Sequence, residues 1–317
     1  FAQLLFQVPA LAGIGLVPRP RWAPRHEGVR RIMVLMVPAL FGVSVSQINL
    51  LLDTVLASLL PSGSVSWLYY SDRLTELPLG VFAIAIATVI LPTLSDQRSR
   101  ADDPAFASTL SWAIRSVLLI AVPATLALAV LAEPLLTTLF QYGAFSGDDR
   151  TMAAASLRAY TLGLGAFMLV KVLAPGFYAR EDMRTPVRIG IIAMVANMVL
   201  NVAFVFPLMW WLNLGHVGLA LATSVSAWLN ALLLFRGLRR DAVLPQSSLP
   251  MKWLVQVGAA TVAMVSVLLW LMPDHAMWAE WLWWQRALEL GILCSAGLGV
   301  FGLSLLCCGV RPADLRR

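Results

Sequence analysis

Long apolar runs, joined by short connections rich in arginine, restrict the fold of this 317-residue chain more than any other feature. A helix that crosses a bilayer needs about 20 consecutive apolar residues. Eight runs reach this length, at 33–60, 65–95, 115–140, 153–179, 186–209, 216–237, 251–272 and 285–309. Because only helices and closed barrels satisfy every backbone polar group in lipid, these runs predict an all-α polytopic membrane protein with eight complete spans.

Two other segments are too short to span alone. The run at 1–17 is interpreted as the end of a helix that begins before Phe1. The segment 101–114, ADDPAFASTLSWAI, is expected to form a short interfacial helix that leads into the next span.

The composition excludes most soluble classes of protein. Hydrophobic residues make up 59% of the chain and charged residues 13%, whereas soluble domains are about one quarter charged. A net charge of +6 is compatible with a polyanionic partner, but in a membrane protein it follows from the basic bias of cytoplasmic loops. We therefore expect this chain to be folded. We expect no nucleic acid among its partners.

The lysines and arginines indicate which side of the membrane each connection occupies. Of the 23, eighteen fall in connections on one face, three (Arg150, Arg158 and Arg286) on the other, and Arg73 and Lys171 within spans. Because cytoplasmic loops carry an excess of basic residues, the arginine-rich face is predicted to be cytoplasmic. The C-terminal tail belongs to this face and is predicted to be cytoplasmic as well.

Ionisable residues within the spans are candidates for a substrate site, because charges inside a membrane are costly and usually functional. Four of these candidates are Asp72, Arg73, Glu76 and Lys171. Arg73 and Glu76 are spaced i,i+3 and share one helix face. Two interpretations remain open: an ion pair that holds helices together, or a cavity wall where Arg73 offers its planar fork to a phosphate group.

A second polar group combines a carboxylate with two amides and a hydroxyl. Asp53 lies well inside its apolar run, Asn197 and Asn201 are spaced i,i+4 on one helix, and Thr223 lies on the next helix. Oxygen ligands from several helices around one carboxylate suit a monovalent cation. Hydrogen bonding between helices by asparagine is the alternative, and it is common in helical bundles.

Three long strings in the sequence resemble the MurJ (MviN) family, the lipid II flippases of bacterial cell-wall synthesis. They are FGVSVSQINLLLDTVLASLLPSGSVSWLYYSDRLTELPLGVFAIAIATVILPTLS at 41–95, VKVLAPGFYAREDMRTPVRI at 170–189, and GLALATSVSAWLNA at 218–231. The resemblance runs over essentially the whole chain and keeps the spacing of the spans. On these strings the chain is identified as a member of this family from a Gram-negative bacterium.

The resemblance implies a fold shared with the MATE exporters of the MOP superfamily, in which two six-helix lobes precede two extra helices. On that plan the N-terminal lobe is missing, and the chain holds the end of helix 6 and helices 7 to 14. The implied domains are a truncated helix at 1–17, a cytoplasmic linker at 18–32, the C-terminal six-helix lobe at 33–240, and two extra helices with a cytoplasmic tail at 241–317.

The resemblance also implies the function. Members flip lipid II, an undecaprenyl-diphosphate-linked muropeptide, across the bacterial inner membrane by alternating access, for peptidoglycan synthesis. A central cavity receives the diphosphate and head group, and Arg73 matches an arginine that the family needs there. The lipid tail lies in a groove that involves the last two helices. The implied partners are lipid II, membrane lipids and the missing N-terminal lobe of the same protein.

The resemblance bears on cation binding as well. Some members bind Na⁺ through positions that match Asp53, Asn197, Asn201 and Thr223. Members with this site can carry a carboxylate where Asn201 stands, so coupling to Na⁺ or to the membrane potential is left open, and no other cofactor is expected.

Two other function classes remain to be compared with a flippase. A related MOP-superfamily exporter, either a polysaccharide-lipid flippase or a cation-coupled drug antiporter, is the first alternative; a drug antiporter would not need the cavity arginine. An integral membrane enzyme is the second. The chain has no repeated aspartate motif and no pairing of a nucleophile with a base, so we predict that it is not an enzyme.

Overall fold

The computed structural model describes residues 8–9, 11–13, 26–244 and 250–310. Most of the predicted stub at 1–17 and of the predicted linker at 18–32 therefore lies outside the described residues, as does the predicted cytoplasmic tail after Val310.

The chain divides into two compact units, 1–40 and 41–317. In the first unit, every described residue except His26 is helical. All of the polar positions considered below belong to the second unit.

From residue 26 onwards, the described part of the chain contains eleven α-helices and no strand. In chain order they are α1 (Glu27–Ser58), α2 (Ser64–Pro78), α3 (Ile84–Ser99), α4 (Asp103–Val130), α5 (Ala132–Phe140), α6 (Gly147–Tyr178), α7 (Arg184–Leu212), α8 (Gly215–Arg240), α9 (Met251–Leu271), α10 (His275–Glu280) and α11 (Trp283–Cys307). A π-helical turn, Leu79–Ala83, joins α2 to α3.

Seven segments of the described residues are long and apolar enough to cross a membrane. They are the continuous run Ser64–Ser99 and the helices α4, α6, α7, α8, α9 and α11. Helix α1, 32 residues long, covers most of the remaining predicted span at 33–60. The predicted all-α polytopic fold is therefore confirmed.

Two helices begin at positions that differ from the sequence-based expectation. Helix α1 starts at Glu27, inside the predicted linker. The segment 101–114 is not a separate interfacial helix, because α4 continues without interruption to Val130. Asp102 caps the start of α4 by accepting a hydrogen bond from the Ala105 backbone N–H at 3.1 Å.

Two of the predicted spans contain an irregularity that hydropathy does not show. The run 115–140 separates into α4 and α5 because Pro134 has no N–H to donate to the carbonyl of Val130. The run 65–95 stays continuous but widens into the π-helical turn directly after Pro78. Such turns are frequent at functional sites, and this one follows the polar cluster of α2.

Helix α6 packs against α2, α4 and α8 and lies at the centre of the second unit. Its approach to α8 is close, since a Cβ atom added at Gly163 would lie 2.7 Å from Ser224 Oγ. A Cβ atom added at Gly218 of α8 would lie 2.9 Å from the backbone of Val205 on α7. Small residues allow helix backbones in a membrane to approach each other. The same contacts therefore hold the polar positions of α7 and α8 close together.

Helices α9 and α11 pack against each other and contact the rest of the unit through α4 and α5. Leu131, Leu268 and Leu293 are buried in the apolar cluster that these helices share. At the start of α11, the buried Arg286 donates to the carbonyl of Thr137 on α5 at 3.3 Å. The two helices are thus attached to the lobe by apolar packing and by a hydrogen bond.

Candidate functional site

Helix α2 divides its residues between a packed face and an uncovered face. Leu68, Ser71 and Leu74 are buried, and Ser71 Oγ donates to the carbonyl of Ala153 on α6 at 2.7 Å. This contact sets the rotation of α2 about its own axis. The opposite face of the helix, which carries Arg73 and Glu76, is left exposed.

Arg73 is the centre of the uncovered face. Its Nη1 donates to Glu76 Oε2 at 2.6 Å, and the two side chains are 51% and 48% exposed. Its Cζ lies 4.9 Å from the centre of the Tyr69 ring. Besides Glu76, the Tyr69 side chain lies within hydrogen-bonding reach of the guanidinium. Arg73 and Glu76, which the i,i+3 spacing places on one helix face, are therefore paired, and the guanidinium keeps further donors for a ligand.

Asp72 and Lys171, the other predicted substrate residues, are placed differently. Asp72 is half-buried and close enough to Glu76 and Arg73 for electrostatic interaction, but it forms no ion pair with any described residue. Lys171 is exposed on α6, and no ion pair with a described residue connects it to α2. The structure therefore brings Arg73 and Glu76 into contact and leaves Lys171 outside their ion pair.

The second predicted group converges on Asp53 of α1. Its Oδ1 accepts a hydrogen bond from Asn201 Nδ2 of α7 at 2.7 Å. Its Oδ2 accepts from Thr223 Oγ1 of α8 at 3.5 Å. Asn201 Nδ2 also donates to Asn197 Oδ1 at 3.1 Å, and each of these asparagines is 1% exposed. All four predicted residues therefore meet where three helices join.

Two residues that sequence reasoning missed complete this network. Asn49, one turn before Asp53 on α1, donates to Asp53 Oδ2 at 3.4 Å. Ser226 Oγ accepts from Asn197 Nδ2 at 3.4 Å. The i,i+4 spacing of Asn49 and Asp53 was a usable signal, whereas the position of Ser226 depends on how α8 packs against α7.

The neighbours of Asn197 favour a second orientation of its side-chain amide, in which the oxygen and nitrogen exchange places. In the second orientation its nitrogen lies 3.0 Å from Asn49 Oδ1 and 3.3 Å from Asp53 Oδ1, and its oxygen accepts from the Thr223 backbone N–H at 3.2 Å. In either orientation, the oxygens of Asp53 face N–H or O–H donors.

This arrangement bears on the Na⁺ ion that the resemblance implies. A hard cation takes oxygen ligands, but the position nearest to Asp53 Oδ1 is filled by the Asn201 N–H. Among the described residues, no three His, Cys, Asp or Glu side chains stand close enough together to hold a metal ion. In this amide orientation Asn201 presents an N–H rather than an oxygen to Asp53, while Asn201 Oδ1 is buried without a hydrogen-bond partner among the described residues. Cation binding stays a prediction.

Tyr160 of the central helix α6 lies next to both groups. It is half-buried and packs in one apolar cluster with Ala57 of α1 and Leu68 of α2. The Asp53 network and the polar cluster of α2 therefore border the same part of α6.

Polar groups of this kind, set within long apolar helices, are typical of membrane transport proteins. Solved structures show the same fold. The chain resembles "Lipid II flippase MurJ, inward closed conformation" with a TM-score of 0.70 and 23% identity, over 93% of this chain and 57% of that chain. It also resembles an outward-facing multidrug resistance MATE family transporter of the MOP superfamily, with a TM-score of 0.51 and 19% identity, over 87% and 64%. The molecule thus has a MATE-like transporter fold.

The chain belongs to the MurJ family: the family model described as "Lipid II flippase MurJ" matches residues 1–286. The "Probable lipid II flippase MurJ" of Vibrio cholerae is 50% identical over 314 residues, which is 99% of this chain and 59% of that protein. The protein of the same name from Haemophilus influenzae is 48% identical over 99% of this chain and 61% of its own length. The chain therefore spans about three fifths of these relatives, and the predicted family is confirmed.

Proposed function

We propose that this chain forms the part of a lipid II flippase that supplies Arg73 to the transport pathway. The observation that carries the proposal is the half-exposed Arg73 guanidinium, on the uncovered face of a helix that belongs to a membrane span, with Glu76 as its only ion-pair partner among the described residues. Family membership names the substrate class, since the relatives are named as lipid II flippases.

The chemistry of Arg73 suits the diphosphate of an undecaprenyl-diphosphate-linked muropeptide. A guanidinium has five N–H donors in a planar fork that matches phosphate oxygens. Glu76 takes one of these donors, so others remain to bind a ligand. The substrate is bound, carried and released without any covalent change, and this role is not enzymatic.

The transport step itself requires the whole protein. Alternating access moves two lobes about a shared site, and the proposed partners are therefore the N-terminal lobe, lipid II and the surrounding membrane lipids. Residues 33–240 form one lobe in this proposal, and 241–317 add the two extra helices.

The proposal is tested with the whole protein in proteoliposomes that contain fluorescently labelled lipid II. We expect protein-dependent movement of the label between leaflets, and none with the 317-residue chain alone, because one lobe cannot alternate access. If the whole protein exports a cationic dye and leaves lipid II in place, the drug-antiporter alternative replaces the flippase.

We also propose that the protein lies in the bacterial inner membrane with its arginine-rich face, including the C-terminus, in the cytoplasm. In a cysteine-free background, Ala144→Cys should react with a membrane-impermeant maleimide added outside the cells. Ser99→Cys and Arg240→Cys, both exposed positions, should react only after permeabilisation. The opposite labelling pattern would reverse the topology.

A further inference from the structure

A tyrosine ring covers the guanidinium of Arg73. Tyr69 lies one helical turn before Arg73, and the Arg73 Cζ stands 4.9 Å from the centre of its ring. We propose that Tyr69 is a positioning residue, which holds the guanidinium so that its remaining N–H groups face an anionic head group. The inference rests on the proposed function, because Arg73 is the proposed ligand of that head group.

The ion pair with Glu76 is not enough to orient Arg73. An exposed ion pair holds a long, flexible side chain only weakly, and both side chains of this pair are about half exposed. A second carboxylate would orient the guanidinium better but would occupy more of its donors. An aromatic ring attracts the cation through its face and occupies fewer of the guanidinium N–H groups than a second carboxylate would.

Tyr69 itself is supported by a series of rings. Its ring meets that of Tyr70 nearly edge-on, with the ring centres 5.8 Å apart. Tyr70 in turn packs against Phe140 at 4.6 Å and Phe145 at 5.4 Å. Phe140 ends α5, and Phe145 lies in the connection that follows it. The ring contacts beside Arg73 therefore extend from α2 to α5 and border one edge of the Tyr69 ring.

The first test needs no substrate. The whole protein is treated with phenylglyoxal, and modification of Arg73 is followed by peptide mass spectrometry, with Arg98 as the internal reference. Tyr69→Leu should speed modification of Arg73 severalfold, whereas Tyr69→Phe, which keeps the ring, should leave the rate unchanged. Tyr142→Leu is the matched control, because Tyr142 is 52% exposed and Tyr69 55%. An unchanged Arg73 rate in Tyr69→Leu overturns the inference.

The second test measures lipid II transport against lipid II concentration. Tyr69→Leu should raise the half-saturating concentration about fivefold, which is the size of a cation–π contact, and leave the maximal rate nearly unchanged. Tyr69→Phe should behave as wild type. An equal effect of Tyr69→Phe and Tyr69→Leu on transport overturns the positioning role. A third outcome separates the two proposals. If Tyr69→Leu speeds modification of Arg73, but neither Tyr69→Leu nor Arg73→Ala alters lipid II transport, then Tyr69 does position Arg73 and the proposed role of Arg73 in transport is wrong.

Discussion

Replacement of Arg73 by alanine is expected to lower lipid II transport by the whole protein on the order of 100-fold or more. Two charge-assisted hydrogen bonds to the diphosphate would be lost, at about 1.5–3 kcal/mol each. The amount of protein in the membrane should stay normal, because the side chain is 51% exposed. Arg73→Lys should retain part of the activity, since lysine keeps the charge but not the planar fork. The initial rate in proteoliposomes is the measurement.

Arg98 provides the matched control for this prediction. Its side chain is 50% exposed and pairs with Asp103 at 3.2 Å, so it resembles Arg73 in exposure and in having one acidic partner. We expect Arg98→Ala to transport normally. If Arg73→Ala transports lipid II at the wild-type rate, Arg73 is not part of the transport pathway. Its ion pair with Glu76 would then serve helix packing only.

Replacement of Asn201 by aspartate is expected to make the stability of the whole protein depend on Na⁺. The change removes the N–H that donates to Asp53 at 2.7 Å and buries a second carboxylate beside the first. An uncompensated buried charge costs about 3–5 kcal/mol, so the unfolding temperature without Na⁺ should fall by roughly 10 °C. Added Na⁺ should restore much of the loss, because an ion that binds only the folded state stabilises it.

Thermal unfolding in NaCl and in KCl measures this effect. Asn230→Asp is the control, because it makes the same change of charge at a half-buried position on α8. Among the described residues, Asn230 forms no hydrogen bond with Asp53. The unfolding temperature of this variant should be the same in NaCl and in KCl. As long as the Asn201 N–H donates to Asp53, wild type should also unfold at the same temperature in both salts. A Na⁺-specific stabilisation of wild type that Asp53→Asn abolishes would show that the amides turn and that a cation binds here.

The helices could be predicted from the sequence because their cause is local. A run such as 251–272 is strongly apolar, and in lipid its backbone N–H and C=O groups can all form hydrogen bonds within the segment only as a helix. The observed helix is Met251–Leu271. Prediction failed where one residue outweighed the hydropathy of its neighbours. Pro134 divides the run 115–140, and the continuity of α4 through 101–114 could not be predicted from composition.

The α2 cluster was predictable for the same reason. The i,i+3 spacing places Arg73 and Glu76 on one face, and the structure shows them paired. Tyr69 stands at i,i+4 from Arg73, so the same rule could have identified it. The sequence did not show that Lys171, an equally conspicuous charge within a span, would have no ion-pair partner among the described residues.

The Asp53 network shows what the sequence determined and what was left to the tertiary structure. Composition and spacing determined that the span carries a carboxylate and that two amides share one face of α7. Only packing decided that the Asn201 nitrogen, 148 positions along the chain, would reach Asp53 Oδ1 at 2.7 Å. A contact between helices depends on their relative rotation and depth, which close approaches such as that at Gly218 establish. Packing therefore also decided that the Asn201 amide, among the polar groups of α7 and α8, lies nearest to the carboxylate.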